Sequence, residues 1–282
     1  MKTKKSFIKN KINFLIHLIV KVKKDDISAL SSQLAYYLVL SFFPFMIFLI
    51  TLVGFSSLDS GHVITALHAV LPESVVNLTQ SIITEVFDKQ YKGLLSISIL
   101  LALWTAASGF RAVIKGVNKA YNFKETRSFI KRTIISMLGI LALTLIIILA
   151  LGILVFGGVI GQYLQKVLPF HNLIIYIWIF FRYAFIFLLM MFIFTLIYRV
   201  APAQKLKFRE VIPGAIFSTI GWSLSSISFS FYINNFRNFS RFYGSLGAVF
   251  ILMTWLFFVS LIFIMGVEIN CVLSEIKINK DK

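Results

Sequence analysis

Six apolar stretches, at residues 29–55, 94–110, 134–160, 173–198, 212–233 and 246–271, constrain this chain more than any other feature. A helix rising about 1.5 Å per residue needs ~20 residues to cross the roughly 30 Å hydrocarbon core of a bilayer. Soluble core helices seldom stay apolar for that long. Inside lipid every backbone N–H and C=O must be satisfied within the protein, which leaves helices or closed barrels, and runs of this length select helices. Composition points the same way, with 59% hydrophobic and 14% charged residues in a chain of 282, far from the soluble norm. The predicted fold class is all-α: a polytopic membrane protein with six transmembrane helices, an N-terminal amphipathic helix, and an extracytoplasmic helix between spans 1 and 2.

The arm at residues 1–28 carries Ile8, Ile12, Leu15, Ile19 and Val22 at three- and four-residue spacing, set among Lys4, Lys5, Lys9, Lys11, Lys21, Lys23 and Lys24. That pattern predicts an amphipathic helix lying on the inner face of the bilayer. Asp25 or Asp26 can cap the helix that follows. Residues 29–271 form the six-span domain and 272–282 a tail. Pro44 removes a backbone hydrogen bond and predicts a kink in the first span. Between spans 1 and 2, Pro72 precedes Val75, Ile82, Ile83, Val86 and Phe87 at helical period, which predicts the extracytoplasmic helix over about 72–88.

Lys and Arg set the orientation. The arm, residues 111–132, residues 199–209 and the tail hold 22 of the 28 basic residues, whereas Lys89, Lys92, Lys166, Arg237 and Arg241 fall on the other side. Alternation of this kind places both termini in the cytosol. The net charge of +17 lies in these clusters, so the expected partners are membrane lipids with anionic headgroups and no specific nucleic acid.

Little in the sequence is suited to bond-breaking chemistry. Cys271 is the one cysteine, so an intrachain disulfide, a cysteine zinc cluster and a CxxC pair are excluded. His17, His62, His68 and His171 are scattered without ligand spacing, and neither GxSxG nor GxxxxGK[ST] occurs. No metal site, cofactor or enzymatic activity is expected.

Polar residues within spans carry the functional signal. An arginine at a span centre costs on the order of 2.5–3.5 kcal/mol, and Arg182 stands in the outer half of the fourth span. It either binds an anionic substrate or headgroup, or snorkels to the outer interface. In the fifth span Ser218, Ser225, Ser228 and Tyr232 recur around Gly221, and in the first Gln33, Tyr37 and Ser41 repeat every four residues. Each stripe either lines a polar cavity or packs through small residues and local hydroxyl bonds. Together with Arg182 these are the substrate-pathway candidates. Glu268, near the cytosolic end of the sixth span, is expected to meet Arg199 as an ion pair or a gate.

In the cytosolic segment Asn118, Tyr121 and Glu125 share a face by helical spacing, with Arg127 just beyond, while Arg111, Lys115 and Lys119 share another. The basic face serves either lipid phosphates or orientation alone. Gly157-x-x-x-Gly161 allows close helix approach, within the bundle or in a homo-oligomer.

Three stretches together resemble the YihY/BrkB family of membrane proteins, once labelled ribonuclease BN. They are Leu34-Ala35-Tyr36-Tyr37 through Pro44; Leu103-Trp104-Thr105-Ala106-Ala107-Ser108 through Asn118, Tyr121, Glu125 and Arg127; and Tyr198-Arg199-Val200-Ala201-Pro202 through Pro213-Gly214-Ala215, Tyr243-Gly244-Ser245-Leu246-Gly247 and Gly266-x-Glu268-x-Asn270. The resemblance implies a six-span protein of the bacterial cytoplasmic (inner) membrane, without an established activity and linked by association to serum resistance and, in one branch, to export of lipid precursors. The expected function is a transporter or flippase-like protein for an amphipathic anionic, lipid-related molecule. The alternative is a non-transporting scaffold for envelope assembly, docking through the arm and the helix near 72–88. Ribonuclease activity is disfavoured, because metal-assisted hydrolysis needs clustered His and Asp ligands.

Overall fold

A computed structural model describes residues 2–54, 61, 64–65, 76–77, 80, 95–167, 171–235 and 246–280. Seven long helices account for nearly all of them: α1 (Lys2–Lys24), α2 (Ile27–Gly54), α3 (Leu95–Ala120), α4 (Phe129–Val167), α5 (His171–Val200), α6 (Phe208–Asn235) and α7 (Leu246–Lys280). No strand occurs among the described residues. Helices α2 to α7 each hold a segment long and apolar enough to cross a membrane, from Ile27–Met46 to Val249–Lys277. The all-helical six-span architecture is therefore as expected.

Of the helix expected over 72–88, residues 76, 77 and 80 are described and helical, and the rest lies outside the described residues. His62, His68, Lys89, Lys92, Arg237, Arg241 and the Tyr243–Ser245 part of the third stretch also lie outside them.

Local chemistry explains where the helices begin and end. The turn between α1 and α2 places Asp26 at φ 44°, and its carboxylate accepts from Ala29 N at 3.4 Å, which caps the first turn of α2. Pro44 sits inside α2, and the helix continues through it to Gly54. Helix α3 outruns the apolar stretch at 94–110 by ten residues, since nothing between Phe110 and Ala120 breaks a helix. It ends where Asn122 takes the left-handed conformation at φ 55°. Phe123 N then donates to Asn118 O at 2.8 Å and Asn122 N to Lys119 O at 3.1 Å, the paired bonds of a Schellman cap.

The bundle is a ring. Each of α2 to α6 packs on its successor in sequence, α7 returns to pack on α2, and α7 also touches α3 across the middle and α1 outside. Burial is greatest at the end where α1 packs on α7, and there Leu30, Ile114, Val117, Tyr198, Ala201, Val211, Ile264 and Val267 form one core. A smaller cluster of Ala35, Phe229, Leu252, Trp255 and Leu256 fills the other half between α2, α6 and α7. Large apolar side chains such as Phe180, Phe181, Leu224 and Ile227 point outward, as expected of a surface solvated by acyl chains.

From Asn13 onward, the apolar residues of α1 divide between two faces. Phe14, Leu18 and Val22 are half-buried against the bundle together with Lys21, while Leu15, Ile16, Ile19 and Val20 remain 52–59% exposed. One face is held by α7 and the other is left for lipid.

Candidate functional site

The polar side chains that should be costly in a membrane converge where α1, α3, α6 and α7 meet. Glu268 is the extreme case. It is 0% exposed, neither of its oxygens has a hydrogen-bond partner among the described residues, and Lys21 Nζ of α1 stands 3.6 Å away. Lys21 also lies 3.2 Å from Asp25 and 3.9 Å from Glu275. Burial alone would lower the pKa of Lys21, but the groups around it that can carry negative charge, Cys271, Glu268 and Asp25, raise it above the ordinary lysine value.

The expected pairing of Glu268 with Arg199 is thus corrected. Arg199 sits at the exposed end of α5 with its guanidinium 3.6 Å from the ring centre of Phe208, a cation–π contact. Residues 201–207 turn α6 back so that Phe208 covers Arg199, and the carboxylate is reached from the arm instead.

Next to this centre, α5, α6 and α7 are stapled through backbone carbonyls. The Tyr198 hydroxyl donates to Phe263 O at 2.7 Å and lies 2.6 Å from Ser218 Oγ, which is 3.2 Å from Ile262 O. Asn270 accepts from Gly214 N at 2.6 Å and donates to Val211 O at 3.2 Å. Both bonds require α6 and α7 to approach closely at Gly214 and Gly266, where an added methyl on Gly214 would collide with Gly266 O and Asn270.

A clamp closes the same end. Asn118 donates to Glu125 Oε2 at 2.8 Å and accepts from Ala203 N at 2.7 Å. Glu125 receives Arg127 Nε at 2.7 Å and Nη2 at 2.8 Å, and that Nη2 also reaches Ala201 O at 2.9 Å. The α3–α4 turn is thereby bound to the α5–α6 turn. Asn118 and Glu125 do meet, but the expectation that helical spacing places Glu125 on their shared face is corrected: α3 stops at Ala120, and the chain reversal at Asn122 brings Glu125 back.

The hydrogen bonds from Arg127 hold the Glu125 pKa below its usual 4.5. A depressed carboxylate stabilises fully above its unfolded value and loses that contribution as pH falls through the folded one. Unfolding of the detergent-solubilised protein is therefore expected to become easier below pH 4.5. In Glu125→Gln this acid-induced loss should shrink, from a starting stability lower by about 1–2 kcal/mol; equal acid sensitivity of the two proteins would refute the assignment.

The other candidates are dispersed. Ser225, Ser228 and Tyr232 line a groove of ≈ 460 Å³ between α6 and α7, together with Phe229, Phe250, Ile251, Thr254 and Phe258. Ser218, expected on the same stripe, belongs instead to the buried Tyr198 contact, because α6 turns that part of its surface toward the α7 carbonyls. Gln33 and Tyr37 border a crevice of ≈ 10 Å³ against α3, at the lower limit for a single water. Ser41 is buried and donates to Leu38 O at 3.2 Å. Arg182 is half-buried on α5 between exposed Phe181 and Tyr183, and lines neither space. Gly157 and Gly161 lie within α4. Tyr121 is buried and stacks on Phe123 with centroids 5.1 Å apart.

Lys21 is the residue that sequence reasoning passed over, counted there only as one more basic residue of the arm. Its signal is the interruption of Val20 and Val22 at a position sharing a face with Phe14 and Leu18. Tyr198, Gly214 and Asn270 were visible only as parts of the family-like stretches.

A family model, Virulence factor BrkB, matches residues 18–282. Ribonuclease-like protein YfkH of Bacillus subtilis (strain 168) is 35% identical over 94% of this chain and 97% of its own length. A UPF0761 membrane protein of Alteromonas mediterranea is 33% identical over 31% of this chain and 30% of its own. Another from Xanthomonas campestris pv. campestris (strain B100) is 38% identical over 22% and 15%. No solved structure matches. The likeness extends over the clamp, the Tyr198 staple and the Glu268 centre alike, and the chain belongs to the Virulence factor BrkB family of integral membrane proteins.

Proposed function

We propose that this protein is a transporter or flippase-like protein that moves an amphipathic, anionic, lipid-related molecule across a bacterial cytoplasmic membrane, with both termini in the cytosol. The observation that carries the reading is the groove between α6 and α7. Its ≈ 460 Å³ set four hydroxyl side chains, Ser225, Ser228, Tyr232 and Thr254, beside Phe229, Phe250, Ile251 and Phe258. A wall of that composition suits a ligand with hydrocarbon and polar parts. Its position at the end of the bundle away from the termini suits a substrate taken from, or released to, the far leaflet. Arg182, on the neighbouring α5 and outside the lining of the groove, supplies positive charge within the span, where an anion would otherwise be costly. On this reading the protein is a carrier and not an enzyme, and the ribonuclease-like name stays with YfkH.

Proteoliposomes carrying the protein and a fluorescent phosphatidylglycerol test it by the rate at which label leaves the inner leaflet. Wild-type protein is expected to accelerate that exchange. Arg182→Ala should lower the rate at least about tenfold, equivalent to ~1.4 kcal/mol, while yield and monodispersity in detergent stay unchanged. Failure of the wild-type protein to move the lipid overturns the reading, and joint loss of rate and folding makes Arg182 structural.

A further inference from the structure

A second cavity, of ≈ 320 Å³, opens beside the Glu268 centre where α1 meets the α3–α4 turn and the end of α7. Three of its walls are polar and one is not. Helix α1 contributes His17, Lys21 and Lys24 at four- and three-residue spacing, the α3 cap contributes Asn122, and α7 contributes Glu275. Ile16 and Val20 complete it, and both belong to the outward apolar row of α1 that is left for acyl chains. A ligand here has its polar part against charged side chains while anything attached to it continues along a hydrocarbon-facing strip. That is the layout of a lipid whose headgroup sits at the membrane surface.

The signs of the charges narrow the headgroup. Lys21 is divided among Asp25, Glu268 and Glu275, at 3.2, 3.6 and 3.9 Å. Glu275 is 53% exposed, lies at the longest of these distances, accepts from Cys271 Sγ at 3.4 Å through the same Oε1, and lines the cavity with its carboxylate. Lys24 is exposed and carries positive charge on the same wall. His17 uses Nδ1 on Asn13 O at 2.8 Å, and in the tautomer that carries its proton there Nε2 is an acceptor. A purely anionic headgroup would set its phosphate beside Glu275 without compensation. A quaternary ammonium has no N–H to give to Glu275 or His17.

We propose that this cavity binds the headgroup of an aminophospholipid, with its phosphate at Lys24, its primary ammonium at Glu275 and His17, and its acyl chains along Ile16 and Val20. The site fixes the arm to the bilayer beside the bundle, and it stands whether or not the α6–α7 groove carries a substrate.

The test uses the full chain in delipidated detergent, with thermal unfolding followed as phosphatidylethanolamine, phosphatidylcholine or phosphatidylglycerol is titrated in. Phosphatidylethanolamine is expected to reach half its maximal stabilisation at a concentration about threefold below either other lipid, the scale of one partly exposed ion pair. Glu275→Gln should erase that preference, and Lys24→Ala should weaken all three lipids. Both side chains are exposed, so neither variant should fail to fold. Equal midpoints for the three lipids with wild-type protein, or a preference that survives Glu275→Gln, would overturn the site. Soluble phosphoethanolamine should stabilise far less than the lipid; if it matches the lipid, the acyl contact with Ile16 and Val20 is wrong.

Discussion

Lys21→Met is expected to destabilise the solubilised protein by about 3–5 kcal/mol, whereas Glu268→Leu should cost little and the double variant should recover most of the loss. The asymmetry follows from what each residue leaves behind. Without Lys21, Glu268 is a fully buried carboxylate with no hydrogen-bond donor on either oxygen. Taking one partner from a buried pair strands a charge in low dielectric, which costs far more than the pair contributed. Without Glu268, Lys21 is still 11% exposed and keeps Asp25 at 3.2 Å. Replacing both with apolar side chains of similar size removes the problem altogether. Thermal unfolding monitored by loss of the monodisperse species measures all three, and a fall on the order of 10 °C is the scale for Lys21→Met. A Lys21→Met protein as stable as wild type would mean that Glu268 is held as the neutral acid and that α1 is not its counter-charge.

The second large effect lies where α6 and α7 cross closely at Gly214 and Gly266. Gly214→Ala is expected to cost about 3 kcal/mol, combining overpacking with damage to two buried hydrogen bonds. The added methyl would meet Asn270 Cγ at 2.7 Å as well as the Gly266 carbonyl, and neither can retreat while Asn270 binds Gly214 N and Val211 O. Gly152→Ala is the matched control, since its methyl meets nothing within 4 Å; removing a helical glycine there should gain up to ~1 kcal/mol. Thermal unfolding of the two variants side by side separates helix propensity from steric exclusion. Equal stability of the two would show that α6 and α7 can separate freely at this point.

These effects mark where sequence reading works for such a chain. The six spans were legible because hydrocarbon thickness imposes a length that polar sequence cannot imitate. The even count predicts that α1 and the end of α7 share one end of the bundle, and Lys21 of α1 does pack against Glu268 of α7. The partner of Glu268 was not legible. Arg199 and Lys21 are equally basic in sequence, and only the α5–α6 turn that puts Phe208 over Arg199 decides between them. Asn118, Glu125 and Arg127 could be grouped, but their anchors at Ala201 and Ala203 lie 74 and 85 residues away from Arg127 and Asn118, beyond any local spacing rule. The fifth-span stripe was read as one surface and is two, because Ser218 is taken by the α7 carbonyls while Ser225 and Ser228 face the groove.

The circular order of the helices bears on how the protein is made. Spans α2 to α6 can each dock on a predecessor already in the bilayer, but the contact between α2 and α7 joins the first span to the last. Until synthesis reaches the final span, the assembly is an arc with two bare edges. Glu268, Asn270 and the carbonyls that take Tyr198 and Ser218 all arrive with that span. A chain that stops short of it leaves a crescent in which the Tyr198 and Ser218 hydroxyls and Gly214 N lack the partners that α7 supplies, so closing the circle and satisfying those groups are one event.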